Sequence, residues 1–410
     1  MFYNLGIQLY GIFIKVAAFF GNEKAKLWLS GRQDLWSKLA DFQSNRSNKK
    51  VAWVHCASLG EFEQGRFLIE KIATQYTDYQ VVVSFFSSSG YEIRKDYALA
   101  SLVCYMPLDT KKNATRFVET LNPDVVYFVK YEFWFHHLNA LKERNIPTYC
   151  VSAVFREQQV FFKWYGGFFR RILACFTQIF VQDETSKILL QHIDIQSIVT
   201  GDTRIDRVQD HARSVKNIPF IFEFLGHKKA FIAGSTWPKD EALLASLFDD
   251  FPKGYKLIVA PHEIDESHIL NIVKLFNIKV LRYSGVNEKT IFGDFEVLII
   301  DNIGMLSSLY QYGEIAYIGG GFGKGIHNTL EPLAFGLPVL IGPNYQKFTE
   351  AVELSKPNRK AIFSIQNEVE LRHTFAALQQ PDVRNVASSI ALDFINQNSG
   401  ATNQILRDEK

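Results

Sequence analysis

Short runs of β-branched and aromatic residues recur along this chain, and longer amphipathic stretches separate them. Beyond residue 50 the runs are Val51–Ser58, Val81–Phe86, Leu102–Pro107, Val125–Lys130, Thr148–Phe155 and Ile179–Asp183. They resume as Ala230–Ser235, Lys256–Pro261, Lys279–Ser284, Phe295–Asp301, Ile315–Gly321 and Pro338–Pro343. A continuous apolar run that alternates with helical sequence reads as a parallel strand covered on both faces. Two such sets, with polar and charged sequence between about residues 202 and 228, predict two Rossmann-like α/β domains in tandem. Sheets of this kind bind ligands beyond the carboxyl ends of their strands, so candidate chemistry is sought just after each run.

With 410 residues, 47% of them hydrophobic and 21% charged, the chain can bury two cores and is not a disordered or low-complexity protein. A net charge of +2 gives no nucleic-acid signature. The charge is uneven, however. Residues 1–50 carry +5, and the remainder carries −3. Four cysteines without C-x-x-C spacing read as buried thiols in a reducing compartment.

The first twenty residues are apolar and aromatic, with Lys15 inside the run and basic residues after it. A signal peptide has its charge before the run, and a spanning helix needs about 20 apolar residues. The expectation is a helix lying in the membrane interface, or a weak single span with a cytoplasmic basic flank. Packing on the protein's own core is the alternative. Phe161, Phe162, Trp164, Tyr165, Phe168 and Phe169, beside Arg170 and Arg171, could extend the same face or form core.

Three constellations follow strand runs. Ser58-Leu59-Gly60-Glu61 places a carboxylate at a helix start, either as a cap or as a general base. Gly234-Ser235-Thr236 leads into a helix near Pro238, where small hydroxyl residues either cap the helix or donate to a phosphate. Gly319–Gly325 is a glycine-rich loop whose backbone N–H groups could close on an anion. His327 and Asn328 then open a helix, with Glu331 three residues on and able to accept both hydroxyls of a ribose. There is no G-x-G-x-x-G, P-loop, D-x-D or H-E-x-x-H.

These segments resemble the bacterial 3-deoxy-D-manno-octulosonic acid (Kdo) transferases over almost the whole chain. The resemblance rests on Trp53-Val54-His55-Cys56-Ala57-Ser58-Leu59-Gly60-Glu61, Tyr105-Met106-Pro107-Leu108-Asp109 and Gly234-Ser235-Thr236. It is strongest in Gly319-Gly320, His327-Asn328, Leu330-Glu331-Pro332 and Gly342-Pro343. Lys130-Tyr131-Glu132-Phe133-Trp134-Phe135 stands where the family usually has E-T-E-L-W-P. Pro261-His262-Glu263-Ile264-Asp265-Glu266 stands in place of P-R-H-P-E-R.

The resemblance implies a GT-B fold: a membrane-associating segment (1–34), an acceptor domain (35–205) and a nucleotide-sugar donor domain (206–410). The last helices, after about residue 385, would cross back to the first domain. It implies a metal-independent, cofactor-free, inverting transfer of Kdo from CMP-Kdo to the lipid A precursor on the cytoplasmic face of the inner membrane. Partners are then an anionic membrane leaflet and no nucleic acid. Glu61 would be the base, with Asp109 and Glu132 next in line. Ser58, Gly60 and Glu132 would meet the acceptor. Ser235, Thr236, Pro261, His262, Gly320, Gly321, Gly325, His327, Asn328 and Glu331 would hold the donor. The competing readings are another GT-B activity on a UDP-sugar (transferase or 2-epimerase) and a non-catalytic membrane-associated binding protein.

Overall fold

The computed structural model describes residues 2–407. The chain forms two units. One runs to Arg207 and takes in the segment from Ser399 onward; the other is Val208–Asn398. The first unit holds β1 (Lys50–Cys56), β2 (Tyr79–Phe85), β3 (Leu102–Tyr105), β4 (Val125–Val129), β5 (Thr148–Ala153), β6 (Gln178–Val181) and β7 (Ser197–Val199). They make one parallel sheet in the order 3-2-1-4-5-6-7. The second holds β8 (Lys229–Thr236), β9 (Tyr255–Pro261), β10 (Val280–Arg282), β11 (Val297–Ile299), β12 (Gly313–Ile318), β13 (Val339–Ile341) and β14 (Ile362–Ser364). Its parallel order is 10-11-9-8-12-13-14.

Strand alternation builds the layers of the first unit. On β1, Val51 and Trp53 join a core with Leu35, Leu39, Phe117 and Leu138. Ala52, Val54 and Cys56 turn to the other face, against Phe62, Leu68 and Ile72 of the helix Leu59–Gln75. Trp53 is fully buried, and burial of a side chain of that kind stabilises by roughly 1.5–3 kcal/mol. The second unit repeats the scheme with Phe231, Ala233, Leu257, Val259, Tyr317 and Phe375.

Several expected elements differ. The polar stretch 202–228 is largely helical, as Thr203–Ser214 and Ile221–Leu225, because Ile205, Val208, Ile221 and Phe224 give it buried faces. The helix Pro381–Asn398 lies in the second unit, and the chain changes unit at Ser399 rather than near 385. Residues 1–34 are not a separate body but part of the first unit.

Phe2–Phe19 forms one helix with no buried residue, long and apolar enough to cross a membrane. Its start is tied down: the Tyr3 hydroxyl donates to Asp109, and Asn4 Oδ1 lies 2.6 Å from His136 Nε2. Of the aromatic stretch, Phe161 is core, Phe168 packs on Tyr3, and Trp164 and Tyr165 stand exposed.

Candidate active site

In each sheet the first strand lies at a switch point, where the chain moves from one side of that strand to the other: between β1 and β4, and between β8 and β12. Such switch points open a crevice for ligand. The candidate residues gather at these two places.

In the first unit, Ser58 caps the helix Leu59–Gln75, accepting from the Gly60 amide at 3.3 Å and donating to the Glu61 carboxylate. Glu61 is half-buried in the first turn, where the helix dipole favours a negative charge. Ser58 and Gly60 thus serve the cap, with Gly60 exposed. Glu132 follows β4. Its Oε2 accepts from Trp134 Nε1 at 2.6 Å and lies 3.1 Å from His55 Nε2. Both carboxylates sit near Cys56, whose thiol is pushed up by burial first and then by Glu61, Glu132 and Glu63. Asp109 is removed from candidacy as a base. It is buried and accepts from the amides of His136 and His137 at 3.0 Å, from His137 Nδ1 and from Tyr3. Burial alone would raise its pKa, but the bonds from His137 and Tyr3 win and hold it below the usual carboxylate range.

In the second unit, Ser235, Leu306, Tyr310, His327, Asn328 and Glu331 border a cavity of about 280 Å³ at the β8–β12 switch point. Ser235 adopts φ 53°, a left-handed conformation of the kind that concentrates at functional sites. Asn328 and Glu331 meet through Asn328 Nδ2 and Glu331 Oε1, 3.2 Å apart. They do not share a helix face: the helix begins at Leu330, and Asn328 Oδ1 accepts from the Leu330 amide just ahead of it. The Tyr310 hydroxyl is buried without a partner among the described residues, over the Cα of Gly234, where an added Cβ would collide with it. Burial, and then Glu331, push its pKa well above the ordinary phenol value.

Thr236 does not face this cavity. Its buried hydroxyl donates to Glu241 Oε1 at 3.0 Å. The glycine loop also departs from expectation. Gly320 donates its amide to Asp240, Gly323 and Gly325 donate to the Gly320 carbonyl, and His327 donates to that of Gly319. These amides brace the loop instead of facing an anion. Gly321 packs on the Gly342 backbone, where a Cβ would come within 2.6 Å, so its role is close approach of chain to chain. Gly320 and Gly325 border a second cavity, of about 600 Å³, with Trp237, Lys239, Phe322, Lys324 and His327. Pro261 ends β9 buried. His262 is exposed and stacks on Trp237 and His327 at 4.7 and 4.4 Å between ring centroids.

Two residues that sequence reasoning passed over organise this region. Asp240 accepts from the Trp237 amide, the Tyr317 hydroxyl and the Gly320 amide, joining β12, the glycine loop and the helix Pro238–Ser246. Trp237 donates its indole N–H to His327 Nε2 at 2.9 Å. Among the described residues no cluster of histidine, cysteine and carboxylate side chains could hold a metal ion.

Two doubly wound parallel units of this kind define a GT-B protein. The likeness in fold extends to a UDP-GlcNAc 2-epimerase from Neisseria meningitidis, solved bound to UDP-GlcNAc, at TM-score 0.61 and 18% identity, covering 87% of this chain and 98% of that one. Residues 33–207 match the family described as 3-Deoxy-D-manno-octulosonic-acid transferase (kdotransferase). A 3-deoxy-D-manno-octulosonic acid transferase of Aquifex aeolicus is 26% identical over 339 residues, 80% of this chain and 86% of that protein. A bifunctional glycosyltransferase/methyltransferase of Fusobacterium nucleatum is 25% identical over 392 residues, and this chain spans 56% of its length. The Kdo transferase match thus covers most of the first unit, and the relatives extend the similarity over most of the chain.

Proposed function

We propose that the chain transfers Kdo from CMP-Kdo to the lipid A precursor, with inversion and without a metal. The observation that carries this reading is the convergence of Ser235, His327, Asn328 and Glu331 on one cavity at a switch point, in a chain whose residues 33–207 match the Kdo transferase family. In this reading Glu331 accepts from the ribose hydroxyls, and Ser235, Asn328 and His327 meet polar groups of the nucleotide. The acceptor hydroxyl gives its proton to Glu61 as its oxygen bonds to the anomeric carbon. The bond from that carbon to the phosphate oxygen breaks on the opposite side, and CMP leaves with the electron pair. Glu132 orients the acceptor.

The lipid acceptor is reached from the cytoplasmic face of the inner membrane. The helix Phe2–Phe19 exposes Phe2, Leu9, Ile12, Phe13 and Phe19, and Trp164 and Tyr165 add to the apolar surface of the same unit. Basic side chains near an anionic leaflet contribute about 1 kcal/mol each.

The test is incubation of the full chain with CMP-Kdo and a tetraacylated lipid A precursor, with and without EDTA. The expected product gains the mass of whole Kdo residues, releases CMP, and forms equally well with EDTA. Turnover of UDP-sugars with no release of CMP would replace this reading with another GT-B activity.

A further inference from the structure

His327 stands on the wall shared by the two cavities of the second unit. The indole N–H of Trp237 can only donate, so the Nε2 it meets at 2.9 Å must be the unprotonated nitrogen. The ring proton is therefore on Nδ1, for which no hydrogen bond is found among the described residues. Burial, and then the neighbouring His262, lower the His327 pKa, so the ring is neutral at pH 7. The Nε2–Cδ2 edge faces Trp237 and Gly320, which leaves Nδ1 on the opposite edge as a donor of fixed position.

The larger cavity has an unusual charge pattern. Trp237 and Phe322 give it apolar walls, and Lys239 and Lys324 lie on its border with no carboxylate partner among the described residues. Its one carboxylate, Asp240, is buried and already accepts from three donors. Both ammonium groups are exposed on the rim, where a sugar acid offers them a charge-assisted partner and a neutral sugar does not.

We propose that Trp237 is a positioning residue of the donor site: it holds His327 as the neutral Nδ1–H tautomer, which donates to the phosphate joining a nucleoside in the smaller cavity to an acidic sugar in the larger, where Lys239 and Lys324 meet the sugar's carboxylate. This rests on the reading of the chain as a Kdo transferase, and it assigns that donor's acid group a seat.

Trp237→Phe keeps an aromatic ring against His262 and removes only the donor. Histidine-selective ¹⁵N–¹H spectra of the full chain at pH 7.5, with His327→Gln to identify the signal, should show the Nδ1–H pattern. In Trp237→Phe that pattern should give way to a tautomer mixture, and the KM for CMP-Kdo should rise roughly tenfold with kcat little changed. Lys239→Gln/Lys324→Gln should raise the same KM by roughly tenfold or more, while inhibition by free CMP stays within about twofold.

An Nε2–H signal in the unaltered chain, or an unchanged pattern in Trp237→Phe, overturns the tautomer lock. An equal loss of CMP inhibition in the lysine variant overturns the seat for the acid. If the unaltered chain turns over no CMP-Kdo, the underlying reading falls, and this inference with it.

Discussion

Nε2 of His55 lies 3.1 Å from Oε2 of Glu132 and ends a run of hydrogen bonds that begins at the indole of Trp53. Trp53 Nε1 donates to Ser84 Oγ at 2.7 Å, and Ser84 Oγ lies 2.8 Å from His55 Nδ1. A carboxylate can only accept, so His55 carries its proton on Nε2. In the neutral ring Nδ1 then accepts from the Ser84 hydroxyl. The Trp53, Ser84 and His55 polar atoms are all paired, and Glu132 is held through Oε2, with no hydrogen bond to its other oxygen among the described residues. Ser84→Ala leaves Trp53 Nε1 and His55 Nδ1 buried without partners. It should cost about 1–3 kcal/mol in thermal or urea unfolding. Glu132→Gln should lower kcat/KM at least about tenfold with CMP affinity unchanged; equal rates would remove Glu132 from the acceptor site.

Glu61 is the group assigned to take the acceptor's proton. Glu61→Gln keeps the helix cap partner and loses the basic oxygen, so turnover should fall about 10²- to 10⁴-fold while calorimetry finds normal CMP binding. Ser58→Ala is the control. It weakens the cap, costing about 0.5–2 kcal/mol of stability, and should slow turnover far less than Glu61→Gln. Near-normal turnover by Glu61→Gln would pass the role to Glu132.

Glu331 lines the smaller cavity of the second unit, with Asn328 Nδ2 on its Oε1. Glu331→Ala should weaken CMP binding by roughly 10- to 150-fold and leave flotation with anionic liposomes unchanged. Calorimetry that returns the original CMP affinity would take the ribose away from this carboxylate.

Asp109 gives a pH prediction. Its ordinary pKa is 3.8 and the folded value lies lower, so the folded state favours the ionised form. The resulting stability is complete above the unfolded value and is lost as pH falls through the folded one. Acid unfolding should therefore steepen below about pH 4 in the unaltered chain and flatten there in Asp109→Asn, which should be less stable at pH 7 by at least about 1.5–3 kcal/mol. A parallel pair of stability–pH curves would count against this.

The apolar runs were sufficient to locate twelve strands and two domains, because buried parallel strands cannot afford polar residues. β7 (Ser-Ile-Val) and β14 (Ile-Phe-Ser), the last strand of each sheet in chain order, escaped. Motif reasoning brought Ser235, His327, Asn328 and Glu331 to one place, but it could not see that Thr236 turns inward to Glu241. Nor could it see that the loop amides bond to one another. Trp237 and Asp240 belong to none of the motifs that the sequence singles out. Their importance lies in partners 80 and more residues away, Gly320 and His327, which only the folded chain brings near.

The carboxylate of Asp206 accepts from the amides of Gly400 and Thr402, and Ile405 and Leu406 complete the core that contains Val54 and Phe62. During synthesis, the first unit therefore waits for the last. A chain stalled on the ribosome after Asn398 would already possess every residue of Val208–Asn398, yet the earlier-made unit would still lack a piece of its interior. The unit translated second can thus have all of its residues before the first does, and the interior of the N-terminal unit is complete only once Ile405 and Leu406 have been made.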